Sequence, residues 1–141
     1  MTDSQYLFDS KFELSPSDFT TDSAGNIALR VDESRGIVDC GIVYFYWSEC
    51  GWCRKSVNDI IAAAKKNPHA MVKVYSCRSD ENIDRVQGLT GEEGIVQSFP
   101  TIHYFEGGSG VMSLRGTFSG EDRTAGNLTQ FLIRNNCSGK K

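Results

Sequence analysis

Ile42-Val43-Tyr44-Phe45-Tyr46-Trp47-Ser48-Glu49-Cys50-Gly51-Trp52-Cys53 joins an unbroken apolar and aromatic run to two cysteines separated by two residues. The run from Ile42 to Trp47 is short and lacks polar alternation, which predicts a strand buried on both faces. Beyond it Cys53, Val57, Ile60 and Ala64 recur at helical spacing, while Arg54, Lys55, Asn58 and Lys65 take the other faces. The two thiols therefore sit where a strand ends and a helix begins.

That position sets their chemistry. Near a helix N-cap, unpaired backbone N–H groups and the helix dipole favour negative charge. Cys50 is expected to be the exposed, thiolate-prone nucleophile. Cys53, three residues on and facing the core, is expected to resolve the mixed disulfide that forms in thiol–disulfide exchange. Arg54 and Lys55 would help to hold a thiolate, whereas Glu49 opposes it. The helix end should prevail, because its N–H groups point at the sulfur and Glu49 can turn to water. The plain alternative is a pair of buried, inert cysteines or a fixed structural disulfide.

The chain has 141 residues, a formal net charge of −3 and five cysteines. One domain is expected over residues 12–136, with an N-terminal extension at 1–11 and a tail at 137–141. The mild charge argues against a nucleic-acid or anionic-membrane partner. No apolar stretch approaches the ~20 residues that span a bilayer. Residues 1–14 mix Asp3, Asp9, Lys11 and Glu13 with apolar residues, unlike a secretory signal. If the chain starts at its natural beginning, a cytoplasmic location is expected. The odd, scattered cysteines do not read as a disulfide framework. Cys40 reads as a small buried hydrophobe and Cys137 as an exposed residue of a polar tail, with an intermolecular bridge there the lesser option.

Phe12-Glu13-Leu14 is a short strand candidate. Ser15-Pro16-Ser17-Asp18 reads as an N-cap followed by a short helix or turn. Ile27, Leu29 and Val31 alternate as a strand, and Ile37-Val38 is the expected hairpin partner. The helix from about Cys50 to Lys66 should stop at Asn67-Pro68. A strand over residues 71–77 would follow, parallel to the first because the link is long enough for a crossover. A short helix is expected over 80–87, strands over 101–105 and 111–116 joined by the glycine-rich turn 107–110, and a last helix over about 121–135. Ser119 and Asp122 resemble a capping box for it. The fold class is α/β, a mixed sheet with helices on both faces.

This order resembles the thioredoxin superfamily over roughly residues 12–136. The likeness is carried by Tyr44 to Cys53, by Val96-Gln97-Ser98-Phe99-Pro100-Thr101, by Gly107-Gly108 and by Arg115-Gly116. It implies a cis Phe99–Pro100 bond beside the redox pair, and a groove shaped by Phe99, Pro100 and Thr101 in which an extended substrate can pair. Three departures stand out. The buried carboxylate that the family places six residues before the first cysteine is Tyr44 here, and a phenol is a poor base near neutrality. Lys73 lies loosely where the family often places that acid's lysine partner. The aromatic residue before the first cysteine is Glu49, which makes the substrate-facing rim acidic. The motif's centre is Gly51-Trp52, where thioredoxins have Gly-Pro and disulfide isomerases Gly-His, so Trp52 would be a surface docking group.

The expected function is that of a protein thiol–disulfide oxidoreductase: Cys50 attacks, Cys53 resolves, and Glu49, Trp52, Phe99, Pro100 and Thr101 meet the substrate. No cofactor is required. Partners would be protein disulfides or dithiols and a reductase or dithiol donor, and a monomer is expected. A zinc site would need a second half beyond CxxC, and Cys77, His69 and His103 are isolated. Cys77 could lie at the motif's end of the sheet as a third thiol, with simple burial the plainer reading. A thioredoxin-fold binding module with weak redox activity is the main alternative. The signatures associated with glutathione binding are not evident.

Overall fold

The computed structural model describes residues 6–77, 86, 88–91, 93–107 and 110–137. Among them the strands are β1 (Phe19–Thr21), β2 (Ile27–Arg30), β3 (Cys40–Tyr46), β4 (Met71–Ser76), β5 (Thr101–Glu106) and β6 (Val111–Thr117). The helices are α1 (Gly51–Lys55), α2 (Val57–Lys66) and α3 (Ala125–Arg134), with 3-10 turns at Pro16–Asp18 and Glu33–Arg35. The strands form one sheet in the order β1-β2-β6-β5-β3-β4. β3 runs parallel to β4 and antiparallel to β5. The predicted crossover is thus present.

β3 lies between β5 and the edge strand β4, and Ile42 through Tyr46 are wholly buried. Its side chains divide between two cores, as strand geometry requires. Ile42, Tyr44 and Tyr46 face α1, α2 and α3, packing with Cys53, Ile60, Leu128 and Leu132. Val43 and Phe45 face the other way, among Phe19, Leu29, Tyr75, Leu89 and Phe105. The three described α-helices contribute to the first core only. The second is covered by β1, the segment around Ile37, and Val86, Leu89, Ile95 and Val96. The helix expected over 80–87 lies outside the described residues except for Val86, which is buried; Gly108 and Ser109 of the expected turn also lie outside them.

Several local expectations change. Ile27–Arg30 does form a strand, but its hairpin partner is the upstream Phe19–Thr21, and its other edge pairs with β6. Ile37 makes only an isolated bridge to Asp32. The Phe12-Glu13-Leu14 strand shrinks to one bridge, Glu13 to Val74. Ser15 and Asp18 form the capping box of the first 3-10 turn. The last helix is capped by Thr124, whose hydroxyl accepts from the Asn127 N–H at 3.1 Å, rather than by Ser119.

Near each end of the described residues, a side chain is fastened into the body. Phe8, in the expected extension, packs edge-on against Tyr44 and Tyr46, with centroids 5.8 and 5.4 Å away. Cys137 is not an exposed tail residue, and Cys40 is not a free thiol. The two form a disulfide that joins the start of β3 to the chain just past α3. Tyr104 supports this seam by donating to the Asn135 carbonyl at 3.0 Å.

Candidate functional site

Cys50 is the N-cap of α1, and its sulfur accepts the Cys53 N–H at 3.2 Å. One of the helix's unpaired donors therefore points at the sulfur, as the sequence predicts. Cys50 is half-exposed, Cys53 is wholly buried, and both are free thiols. Burial first, and hydrogen bonding with Cys50 second, push the Cys53 thiol up to about 12. The site is asymmetric: one sulfur is reachable, and its neighbour is closed off and strongly protonated.

The peptide bond between Phe99 and Pro100 is cis. The Cys50 thiol donates to the Phe99 carbonyl at 3.7 Å, which brings the start of β5 against the motif. Phe99, Pro100 and Thr101 are partly exposed, and the Thr101 hydroxyl donates back to the Ser98 carbonyl at 2.6 Å. Trp52 is 64% exposed, with the Lys55 ammonium 4.8 Å from its ring centre. Gly51 and Glu49 are exposed on the same rim. The structure therefore brings Cys50 and Cys53 together and sets Phe99 against Cys50, with Glu49, Gly51 and Trp52 exposed beside the pair in sequence.

The charges are arranged differently from the expectation. Arg54 donates through Nε to the Ser48 carbonyl at 2.6 Å, and Lys55 is drawn over Trp52. The cation that acts on Cys53 and Tyr44 is Arg123, half-buried in the segment before α3, which favours both ionised forms weakly against burial. Sequence reasoning missed it, because 70 residues separate it from Cys53 and no motif marks it.

Tyr44 fills the space beneath the pair. Its hydroxyl donates to the backbone carbonyl of Cys53 at 3.0 Å. Burial first, and the charge of Cys53 next, raise its pKa well above the ordinary phenolic range. It is a donor here, not a base. Lys73 offers no help: Tyr44 is in register with Val74, and Lys73 with Val43, so Lys73 lies on the opposite face of the sheet.

The single helix predicted from Cys50 to Lys66 is broken at one residue. α1 and α2 are separated at Ser56. There the Cys53 carbonyl accepts both the Tyr44 hydroxyl at 3.0 Å and the Ser56 N–H at 3.3 Å, the latter a tighter turn than the i to i+4 bond of a continuous α-helix. Ser56 turns its hydroxyl back to the Trp52 carbonyl at 3.0 Å, a bond known to bend helices.

Cys77 follows β4 and is buried, with its N–H on the Tyr46 carbonyl at 2.8 Å. Burial first, then the charges of Cys53 and Glu13, raise its thiol to about 12. It does lie at the motif's end of the sheet, as a buried thiol. His69 binds the Cys137 carbonyl at 3.1 Å, and His103 is buried between Thr117 and Ile95. Among the described residues no group of three or more His, Cys, Asp or Glu could hold a metal ion. Nor is any described helix long and apolar enough to cross a membrane.

No family model and no curated protein sequence matches the chain. Among solved structures it is similar to the J-Trx1 fragment of ERdj5, with a TM-score of 0.53 and 18% identity, covering 79% of this chain and 51% of that one. The chain thus spans about half the length of that structure. The likeness shows a thioredoxin-type fold.

Proposed function

We propose that the protein is a thiol–disulfide oxidoreductase acting on protein substrates through Cys50 and Cys53. The observation that carries this reading is the half-exposed Cys50 sulfur at the mouth of α1, with a backbone N–H on it and Cys53 buried behind. The Cys50 thiolate attacks a substrate disulfide and forms a mixed disulfide, releasing one substrate sulfur as a thiolate. Cys53 then gives up its proton and attacks the Cys50 sulfur. That expels the second substrate thiolate and leaves a Cys50–Cys53 disulfide. Two electrons pass to the substrate, and the reverse sequence oxidises a dithiol. Trp52, Glu49, Phe99, Pro100 and Thr101 form the rim that meets the substrate. Reducing equivalents would come from a reductase or another dithiol.

The Cys40–Cys137 bond supports an oxidising compartment rather than the cytoplasmic location expected from sequence, because cytosolic thiol pools keep such pairs reduced. The test of function is reduction of a model disulfide by the wild type, Cys50→Ser and Cys53→Ser. Cys50→Ser should be inert, and Cys53→Ser should accumulate the mixed disulfide. A potential near about −270 mV would mark a reductase, and one near about −180 mV an oxidase or isomerase.

Tyr44, standing where a base would serve, favours a second reading: a binding module with vestigial redox activity. Equal background rates for all three proteins would select it.

A further inference from the structure

We propose that the outer edge of β4 at Val72 is a docking site for an extended, acidic peptide segment of another protein, at the end of the sheet remote from the cysteines. β4 is the last strand of the sheet. Its outward edge is closed at Val74, which donates to the Phe12 carbonyl and accepts from the Leu14 N–H, each at 2.8 Å. Residues two apart in a strand direct their backbone groups the same way. The N–H and carbonyl of Val72 therefore face outward too, and no described residue pairs with them.

Instead of a neighbouring strand there is a cleft of about 480 Å³ that straddles the edge. Gly36 and Arg35 line one side, Lys11 and Ala64 the other, and Val72 and Lys73 lie between. Its charged lining is entirely basic: Lys11, Arg35 and Lys73. Lys73 donates one proton to the Lys11 carbonyl at 2.8 Å and keeps two for a ligand. Asp18 and Asp32 pair with Arg35 but do not line the cleft.

An unpaired strand edge binds extended backbone by adding a strand, and adjacent side chains supply selectivity. The basic lining selects carboxylates on that segment. The redox pair lies at the opposite, C-terminal ends of β3 and β4, so docking here leaves it free.

The probe is a fluorescein-labelled hexapeptide of alternating Thr and Glu. The controls are the same peptide with Gln for Glu, and an N-methylated acidic version that cannot pair through its backbone. The acidic peptide should bind saturably, roughly tenfold tighter than either control, because charge-assisted bonds and strand pairing act together. Binding should slow hydrogen exchange at the Val72 amide. It should weaken in Lys11→Gln, whose side chain is exposed, and in Lys73→Gln, and persist in Cys50→Ser/Cys53→Ser. The proposal is overturned by absent or non-saturable binding, by equal affinity for the Gln peptide, or by binding that leaves the Val72 amide unchanged. Concentration-dependent self-association that protects Val72 without peptide would also overturn it, assigning the edge to a second copy.

Discussion

The Tyr44 hydroxyl donates to the Cys53 carbonyl at 3.0 Å, so the group beneath the resolving cysteine gives a hydrogen bond and accepts no proton from the thiol. Burial, the largest cause of the raised Cys53 thiol, persists when Cys50 is tied up in a mixed disulfide, and Tyr44 offers that thiol no base.

The first prediction follows from that pairing. Below its pKa the thiolate fraction rises tenfold per pH unit, so single-turnover resolution should climb steeply, by up to roughly that factor per unit, as pH rises above neutrality. Tyr44→Asp should raise the neutral rate and flatten the profile, whereas Tyr44→Phe should leave the profile steep. Phe removes the donor to a buried carbonyl, and a loss of about 1–2 kcal/mol in urea unfolding is expected. A wild-type rate that levels off near neutrality would contradict this account.

A second prediction concerns the distant cysteines. Cys40 and Cys137 are 97 residues apart in sequence, and closing so long a loop in the unfolded chain is worth about 4–5 kcal/mol in the chain-entropy account. Cys40→Ala/Cys137→Ala should lose a comparable amount by denaturant titration. In the Cys50→Ser/Cys53→Ser chain, alkylation under denaturing, non-reducing conditions should label Cys77 alone. Labelling at Cys40 or Cys137 would show the bond to be absent.

His103 supplies a pH dependence of stability. Its Nε2–H donates to the Ile95 carbonyl at 2.6 Å, and its Nδ1 accepts from Thr117 at 2.9 Å. Burial, the largest influence, lowers its pKa below the ordinary 6.5. The unfolded chain therefore binds this proton more readily. Its contribution is complete above about pH 6.5 and declines as pH falls toward the folded value, with a slope of at most about 1.4 kcal/mol per unit. Denaturant titrations from pH 7 to 5 should show the decline, and His103→Gln should reduce it. An unchanged slope in that variant would remove His103 as the source.

Gly41 of β3 is in register with Met71 of β4 and sits tightly against its backbone. A Cβ there would lie 2.0 Å from the Met71 carbonyl oxygen. Backbone cannot yield as a flexible side chain does, so Gly41→Ala should cost about 3 kcal/mol or more. Wild-type thermal stability in that variant would show that the strands can separate there.

How far the sequence could be read depended on the distance over which each feature is encoded. The apolar run into Cys50, the stop at Asn67-Pro68 and the strands on either side of the 107–110 turn rest on neighbouring residues, and each emerged nearly in place. The cis bond before Pro100 was expected through family likeness, not from local preference. The misreadings were non-local. Ile37 looks as suitable a partner for β2 as Phe19 does, and β6 provides the other edge. The Cys53 carbonyl, at the break between α1 and α2, is met by the Tyr44 hydroxyl from a different element. Cys137 appears polar by its neighbours, yet the Cys40 sulfur and the His69 ring await it in three dimensions.

The molecule thus carries two sulfur couples of opposite temperament. One opens to visitors at the front of the sheet. The other is a clasp at the back, with Cys137 only 1% exposed. On the proposed function the front would cycle between its two redox states while the clasp, one of whose sulfurs is buried, keeps the frame closed.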